Sequence, residues 1–395
     1  MTKGADLFQD MKPELIDIRH DLHANPELLY AVERTADKVA GILRTTGVDE
    51  VITNFGRTGV LGILHGRNGP ADRAEKRVLF RADMDALPIA EATNLPYSSK
   101  SPGLMHACGH DGHTTVLIGA ARHLAETRDF DGSIVFCFQP AEEGGAGAFA
   151  MMEDGLFEKY PVKSVFGLHN LPGIALGRGG IVPGSAMASG GGFNITVKGG
   201  GGHAALPHEA SDTVVAAAFI VTGLQTVVAR SINPLEAAVV SITSIHGGDA
   251  WNVIPTSVEL RCGVRTFSEK TSRDVEAAIR RVCQNAAAAF GTEVVVENSM
   301  PQPYPPLVNH PAETEIAVLA MQDAWGLEQT DPNMPPMMGS EDFAFFLQKV
   351  PGAFVFLGNG GSAPLHSPHY DFNDDAIEYG VAFWTRLAAR LLPPT

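Results

Sequence analysis

The chain has 395 residues, of which 45% are hydrophobic and 19% are charged, so a wholly disordered chain is excluded and the length predicts two domains. Twenty-nine Lys and Arg residues against 45 Asp and Glu residues give a formal net charge of −16. Because no dense Lys/Arg run accompanies this acidic balance, binding to the phosphate backbone of nucleic acid is disfavoured.

Helices and strands alternate in the first part of the chain. The spacing of apolar residues predicts helices over residues 13–46 and 114–127 and a short helix over 145–154. Four apolar segments are predicted as strands, at residues 60–64, 77–82, 133–139 and 164–169. The third is almost entirely apolar, as a strand covered on both faces should be. This alternation predicts an α/β fold with a mixed sheet covered by helices.

The middle of the chain follows the order β-α-β-β-α-β, which is that of the ferredoxin-like unit. The predicted elements lie at residues 193–198, 212–231, 237–245, 257–267, 272–290 and 292–298, with Ser272 as the expected helix cap. The linker sequences GSAMASGGG and MPQPYPP flank this region. We therefore expect an inserted α+β domain over residues 187–299, within a catalytic domain made of residues 1–186 and 300–395. The last segment should add helices at 312–325, after 340 and at 374–392, and a strand at 353–357.

The four cysteines are far apart in the sequence, at positions 108, 137, 262 and 283, which is not the spacing of a disulfide framework. No basic segment followed by an apolar one opens the chain, and no apolar run has the length of a bilayer span. We expect a soluble protein of a reducing compartment, the cytoplasm, with no membrane partner.

The first chemical cluster is Cys108-Gly109-His110, with His106 and His113 beside it. A thiolate and an imidazole two positions apart on a loop can both point at one metal ion. The alternative is a buried cysteine in a turn with surface histidines around it. Four metal-capable side chains within eight residues favour the metal site.

Three further positions carry possible ligands. Glu142 and Glu143 come just after the strand at 133–139, and His169 ends the strand at 164–169. Open α/β sheets place their sites at the carboxyl ends of strands. His366 lies near the carboxyl terminus in PLHSPHY. Taken singly, these are ordinary solvated carboxylates and structural histidines. A site is favoured because three of the four clusters follow strand ends of one sheet.

The side chains of Cys108, His110, Glu143, His169 and His366 make five possible ligands. Since one zinc-like ion usually takes three or four protein ligands, five suit two neighbouring divalent ions with one ligand bridging. A paired site polarises a carbonyl and lowers the pKa of a shared water. Glu142 then remains as the general base, and later as the acid that protonates the leaving amine. Sulfur, nitrogen and oxygen ligands together permit Zn, Mn, Co or Ni.

Other residues are candidates for supporting roles. Asp83 and Asp85 follow the strand at 77–82, where one of them can orient a ligand histidine from behind; they are otherwise ordinary turn carboxylates. In the inserted domain, a glycine run ends in His203, which can bring an electrophile to a substrate oxyanion. Arg265 can pair a substrate carboxylate bidentately. A surface histidine and a surface arginine are the plain alternatives.

Nine segments together resemble the M20 metallopeptidase and amidohydrolase family, especially its branch of hippurate hydrolases and N-acyl-amino-acid amidohydrolases. They run through nearly the whole chain in order: RHDLHANPEL (19–28), RADMDALP (81–88), MHACGHDGHTT (105–115), FQPAEEGGAGA (138–148), GLHN (167–170), GGGGHAALPH (199–208), WNVIP (251–255), GSEDFAFF (339–346) and LHSP (365–368). The Cys-Gly-His sequence separates this branch from relatives that use Asp there.

The resemblance implies the same five metal ligands, with Glu142 as the catalytic base. It also implies that His203 reaches a substrate oxygen, often across a dimer, that Asn252 contacts the substrate, and that the inserted domain mediates dimerisation. The expected reaction is hydrolysis of a small N-acyl amino acid, hippurate-like, to a carboxylic acid and a free amino acid. Two alternatives stay open: a di- or carboxypeptidase acting on short peptides at the same site, and a non-catalytic dimeric binding protein.

Overall fold

The computed structural model describes residues 3–70 and 73–394 and divides into two compact units. One unit comprises Met1–Gly184, Val308–Pro335 and Asp342–Thr395; the other comprises Ser185–Leu307 and Pro336–Glu341. The short segment 336–341 therefore groups with the inserted unit, whereas we had expected it in the catalytic domain. Backbone hydrogen bonds explain this, because Met337 donates to the carbonyl of Ala186 and accepts from the amide of Ala188.

The first unit begins with alternating helices and strands. They are α1 (Lys3–Ala24), α2 (Glu33–Thr45), β1 (Glu50–Phe55), β2 (Gly59–His65), β3 (Arg77–Asp83), α3 (His110–Thr127), β4 (Ser133–Gln139), α4 (Gly147–Glu153), α5 (Leu156–Lys159), β5 (Ser164–Leu171) and β6 (Gly179–Ile181). A short strand, β7 (Gly184–Met187), follows.

The inserted unit has the predicted order of elements. They are β8 (Gly192–Lys198), β9 (Gly202–His203), α6 (Thr213–Thr226), β10 (Ala238–His246), β11 (Val253–Ile254), β12 (Ser257–Thr266), α7 (Glu269–Ala289) and β13 (Glu293–Asn298). Its main sheet has the order β10-β12-β8-β13, and each neighbouring pair is antiparallel. This is the ferredoxin-like arrangement, with both helices contributing apolar residues to one core.

The chain then completes the first unit. The remaining elements are β14 (Leu307–Asn309), α8 (Pro311–Trp325), β15 (Thr330–Asp331), α9 (Ala344–Lys349), β16 (Gly352–Gly358) and α10 (Ala376–Leu391). The large sheet has the order β1-β2-β4-β3-β5-β16-β6-β15. Its four central strands, β4, β3, β5 and β16, run parallel, while β1, β2 and β6 introduce antiparallel pairs. The predicted mixed sheet is confirmed.

Three predicted element boundaries were wrong, each for a local reason. The helix expected over 13–46 is two helices, because Asn25 precedes Pro26, and a residue before proline disfavours helical backbone. Helix α3 begins at His110 rather than at 114, directly after Gly109 with its φ of 93°. Helix α7 is capped by Ser268 rather than Ser272, since the Ser268 hydroxyl accepts the amide of Thr271.

Helix α6 with the π-helical turn that follows it, Thr213–Ser231, is by length and composition the one described helix that is apolar enough to cross a membrane. The sequence alone had suggested no such run. One side of α6 is buried in the core of the inserted unit through Ala216, Ile220 and Leu224. Its other side leaves Val214 and Phe219 exposed. This segment is thus a helix of a two-layer α+β unit. One apolar side of the helix packs in the core, and a second apolar side is exposed.

Candidate metal centre

The site lies at the carboxyl ends of three neighbouring parallel strands. Strand β3 lies between β4 and β5 in the sheet, and all three run in the same direction. Asp85 follows β3, Glu142 and Glu143 follow β4, and His169 lies near the end of β5. Residues distant in sequence therefore meet at one edge, as expected for an open α/β sheet.

The five predicted ligands form two groups that share Cys108. The donor atoms of Cys108, His110 and His169 lie within 4.8 Å of one another, and so do those of Cys108, Glu143 and His366. The Cys108 Sγ is 3.4 Å from the Nε2 of His169. The structure thus brings all five side chains together, with the thiol at the junction of the two groups.

Backbone carbonyls fix the orientation of two histidines. The Nδ1 of His110 donates to the carbonyl of Asp85 at 2.7 Å, and the Nδ1 of His169 donates to the carbonyl of Asn170 at 2.6 Å. A carbonyl oxygen can only accept, so each ring carries its proton on Nδ1 in these contacts. In the neutral form of each ring, the lone pair therefore lies on Nε2, where a cation can bind it.

The two aspartates predicted to support the site have different contacts. The Asp85 carboxylate accepts the backbone amides of Glu142 at 2.9 Å and Glu143 at 3.1 Å, so it holds the turn that carries both glutamates. The Asp83 carboxylate accepts a hydrogen bond from His113 at 2.7 Å and lies 3.6 Å from the Nε2 of His110. Both aspartates are buried, and each has a carboxylate oxygen within 3.6 Å of a ring nitrogen of His110.

A buried donor atom without a hydrogen bond indicates that the donor set fits cations. Among the described residues, the Nε2 of His110 is buried and makes no hydrogen bond, while the Oε1 of Glu143 lies 3.3 Å from the Nε2 of His366. Such atoms are costly unless a further group satisfies them. One thiol, three imidazoles and a carboxylate are donors suited to borderline divalent metals. His110, His169 and Glu143 would hold the ions, with Cys108 and His366 completing the two groups.

Without a cation, the charges around the cluster favour protonated ligands. Burial, reinforced by Glu143 and Glu142, raises the pKa of the Cys108 thiol well above its usual range. Burial disfavours the charged form of His110, but Asp83 and Asp85 outweigh it and raise the His110 pKa to about 10. Metal ligation needs the thiolate of Cys108 and the neutral imidazole of His110, so each group must lose a proton when a cation binds.

Sequence reasoning missed Asn170 and Tyr370 and left His113 without a role. The Asn170 side chain donates to the carbonyl of Cys108 at 2.7 Å and accepts the Tyr370 hydroxyl at 2.8 Å. The Nε2 of His113 accepts the Asn170 amide at 2.9 Å, while its Nδ1 donates to Asp83, so both ring nitrogens are engaged. The adjacency of Asn170 to His169 in GLHN was the available signal, but the partners are 57 to 200 residues away.

The inserted unit brings His203 and Asn252 together. Strands β9 and β11 pair so that His203 faces Val253, and the amide of Ala204 donates to the carbonyl of Asn252 at 3.0 Å. Both residues line an open pocket of about 960 Å³. Arg265 is half-buried, and its Nη1 donates to the carbonyls of Gly191 and Val264. Their roles toward a substrate stay predictions.

The sequence model of peptidase family M20/M25/M40 matches residues 79–390. The chain belongs to this family. It is 39% identical over 383 residues to the hippurate hydrolase of Campylobacter jejuni, covering 97% of this chain and 98% of that protein. It is 40% identical over 385 residues to the N-acetyl-L-cysteine deacetylase of Bacillus subtilis, and the match covers 97% of this chain and 89% of that protein. This M20-family chain is accordingly a hydrolase of the amidohydrolase type.

A solved structure supports the same assignment. The crystal structure of a dinuclear metal-binding peptidase of the M20 family from Bacillus subtilis superposes with a TM-score of 0.82 at 34% identity. The match covers 98% of this chain and 100% of that one. The mixed-sheet fold of this M20-family member is therefore confirmed, and a relative of the same fold binds two metal ions.

Replacing Gly109 by alanine should disrupt the donor cluster. A Cβ at this position would overlap the Asn170 amide and the Tyr370 hydroxyl, and the φ of 93° adds backbone strain. Gly103→Ala is the matched control, because its φ is 81° but a Cβ there meets nothing within 4 Å. Elemental analysis should find Gly109→Ala depleted of metal and Gly103→Ala loaded like the wild type. Equal metal content in the two variants would contradict this role of Gly109.

Metal uptake by the apoprotein should release protons at neutral pH. The raised pKa values of Cys108 and His110 keep both groups protonated, and both must lose a proton to bind a cation. Metal affinity should therefore rise as the pH increases toward the His110 pKa of about 10. Calorimetric titration with Zn²⁺ in buffers of different ionisation enthalpy measures this release. A binding heat that is the same in all buffers would contradict it.

Proposed function

We propose that this enzyme hydrolyses the amide bond of small N-acyl amino acids, such as benzoyl-glycine, to a carboxylic acid and a free amino acid. The observation that carries the proposal is the convergence of five metal-capable side chains on two groups that share Cys108, with Glu142 beside them. The hippurate hydrolase and deacetylase relatives support this substrate class, since both of their names denote cleavage of an N-acyl bond.

The residues of this chain divide the chemistry between them. When bound, two divalent ions, Zn, Mn, Co or Ni, would polarise the substrate carbonyl and lower the pKa of water. A carboxylate oxygen of Glu142 lies within 4.8 Å of the donor atoms of His110 and Glu143, and Glu142 is buried. Its backbone is held by Asp85. We assign Glu142 to take the proton from the attacking water and to deliver it to the leaving nitrogen.

Residues of the inserted unit complete the proposal. We infer that His203 contacts the substrate oxygen that gains negative charge and that Asn252 contacts the substrate backbone. Both are exposed and line the same pocket. Arg265 is the predicted partner of the substrate carboxylate, although its Nη1 already donates to two backbone carbonyls. His203→Ala should lower kcat without changing metal content if this assignment holds.

Replacing Glu142 by glutamine should lower turnover by roughly 10²–10⁴, the usual worth of a general base. The isosteric amide cannot take a proton, yet it preserves the hydrogen bond from the backbone amide to Asp85. Glu153→Gln is the matched control, because Glu153 is an exposed glutamate in α4 of the same unit. The measurement is kcat on benzoyl-glycine at verified metal content. Turnover by fully loaded Glu142→Gln at the wild-type rate would contradict the mechanism.

A substrate panel on the wild type separates this proposal from its alternatives. Higher kcat/KM on benzoyl-glycine and acetyl-amino acids than on dipeptides supports the amidohydrolase, and the reverse order supports a di- or carboxypeptidase. Dialysis against a chelator should abolish turnover, and adding Zn²⁺, Mn²⁺, Co²⁺ or Ni²⁺ singly should identify the metal that restores it. No turnover with any metal and any substrate would favour a non-catalytic binding protein.

We also propose that the protein is located in the cytoplasm, because the four cysteines of the chain are buried and unbridged and would stay reduced there.

We further propose that two copies of the chain associate through the inserted unit. Helix α6 exposes Val214, Val215 and Phe219. Strand β10 is an edge of the four-stranded sheet and exposes Val239 and Ile245. Uncovered apolar surface beside an open sheet edge is typical of a subunit interface.

A charge on α6 should therefore separate the copies. Phe219 is 59% exposed, and Phe219→Asp should raise the dimer dissociation constant about tenfold or more, because a desolvated carboxylate has no partner there. Leu327, which is 72% exposed on the other unit, provides the control Leu327→Asp. Sedimentation velocity measures both variants against the wild type. A monomeric wild type, or dissociation by Leu327→Asp alone, would contradict this interface.

A further inference from the structure

His366 lies on a segment without helix or strand, in contrast to His110 and His169. We call residues 365–374 the His366 loop; it lies between β16 and α10. His366 has a φ of 64°, in the left-handed region, and its side chain is about half exposed. Because neither sheet nor helix fixes this backbone, individual backbone and side-chain contacts must hold the loop in place.

One set of contacts ties the loop to the chain beside the other ligands. The amide of His366 donates to the carbonyl of Ala107 at 2.7 Å, next to Cys108. The hydroxyl of Tyr370 donates to the Oδ1 of Asn170 at 2.8 Å, next to His169. The amide of Ala92 donates to the carbonyl of Pro368 at 2.8 Å, and these three contacts hold the first half of the loop.

Several hydrogen bonds hold the second half of the loop, and the charged ones from a buried position come from an arginine of the motif RHDLHANPEL. The Nε of Arg19 donates to Asp374 at 2.7 Å, and its Nη1 donates to Asp371 at 3.1 Å. The guanidinium lies 4.3 Å from the centre of the Tyr97 ring, whose hydroxyl also donates to Asp371 at 3.0 Å. The Arg19 side chain is fully buried. A planar fork between two carboxylates and an aromatic face is an arrangement that lysine does not reproduce.

Arg19 also faces the helix that carries His110. Its Nη1 is 3.8 Å from the carboxylate of Asp111, in the first turn of α3. Asp111 has a second partner, His23, at 2.8 Å, and α3 is buried along most of its length. The start of α3 therefore depends less on Arg19 than the His366 loop does.

We propose that Arg19 is a positioning residue for His366, so that it sustains metal binding by the group Cys108, Glu143 and His366. This inference rests on the proposed metal centre. Within the motif 19–28, Arg19 then acts by holding the loop, while His23 holds Asp111 at the start of α3. Loss of the Arg19 fork should loosen the His366 loop and leave the group Cys108, His110 and His169 intact.

The test is metal binding by Arg19→Lys, which keeps the charge and removes the fork. The apo wild type and the variant are titrated with Co²⁺, and bound metal is counted after desalting. We expect two ions in the wild type, and in the variant one ion bound with unchanged affinity and a second weakened about 10–100-fold, the usual effect of losing a supporting contact. The thiolate-to-cobalt absorption should persist, because Cys108 serves both groups.

Arg128→Lys is the matched control, since Arg128 pairs with Asp49 and donates to the backbone carbonyls of Gly47 and His65 in the same unit. It should lose stability without losing metal. Asp371→Asn is the milder second variant if Arg19→Lys does not fold, and it should weaken the same ion.

The outcomes are distinct. Two ions of unchanged affinity in a folded Arg19→Lys or Asp371→Asn protein would overturn the inference while leaving the proposed function intact. A wild type that binds no pair of ions would overturn both.

Discussion

The sharing of one thiol between two donor groups is the contact on which this site depends. Cys108 lies at the junction, and its backbone is held by the Asn170 side chain, which donates to the Cys108 carbonyl. Gly109 allows the chain to turn directly from Cys108 into α3, because a Cβ at this position would overlap the side chains of Asn170 and Tyr370. His110 then becomes the first helical residue instead of part of a loop.

Two buried carboxylates set the protonation of the metal-binding groups. Asp83 and Asp85 lie behind the histidines, and neither is exposed. In a medium of low dielectric constant they hold the protonated form of His110 when no cation is bound. The same carboxylates favour a cation once the protons leave. Asp83 and Asp85 thus provide negative charge for the metal site, and Asp83 also orients the ring of His113, which donates to its carboxylate.

Much of the fold and the site can be predicted from the sequence, because its signals are local. The almost entirely apolar strand Ser133–Gln139 has the predicted bounds, and Glu142 and Glu143 follow it. The order of elements in the inserted unit likewise comes from short-range periodicity. The start of α3 was missed because its signal is a left-handed glycine, which a pattern of apolar residues does not reveal.

Long-range contacts could not be predicted in the same way. Arg19 meets Asp371 and Asp374 across 352 and 355 residues, and nothing in the helical pattern of α1 indicates a buried charge with those partners. That Cys108 belongs to both groups also depends on three strand ends and a loop meeting in space. These contacts arise from tertiary packing, so the sequence pattern alone does not predict them.

The most direct measurement of the central claim is the metal stoichiometry of Cys108→Ala beside that of His366→Ala, on protein with verified folding. A thiol common to both groups predicts that Cys108→Ala loses both ions while His366→Ala keeps one. Retention of two ions by Cys108→Ala would contradict a centre built around this residue.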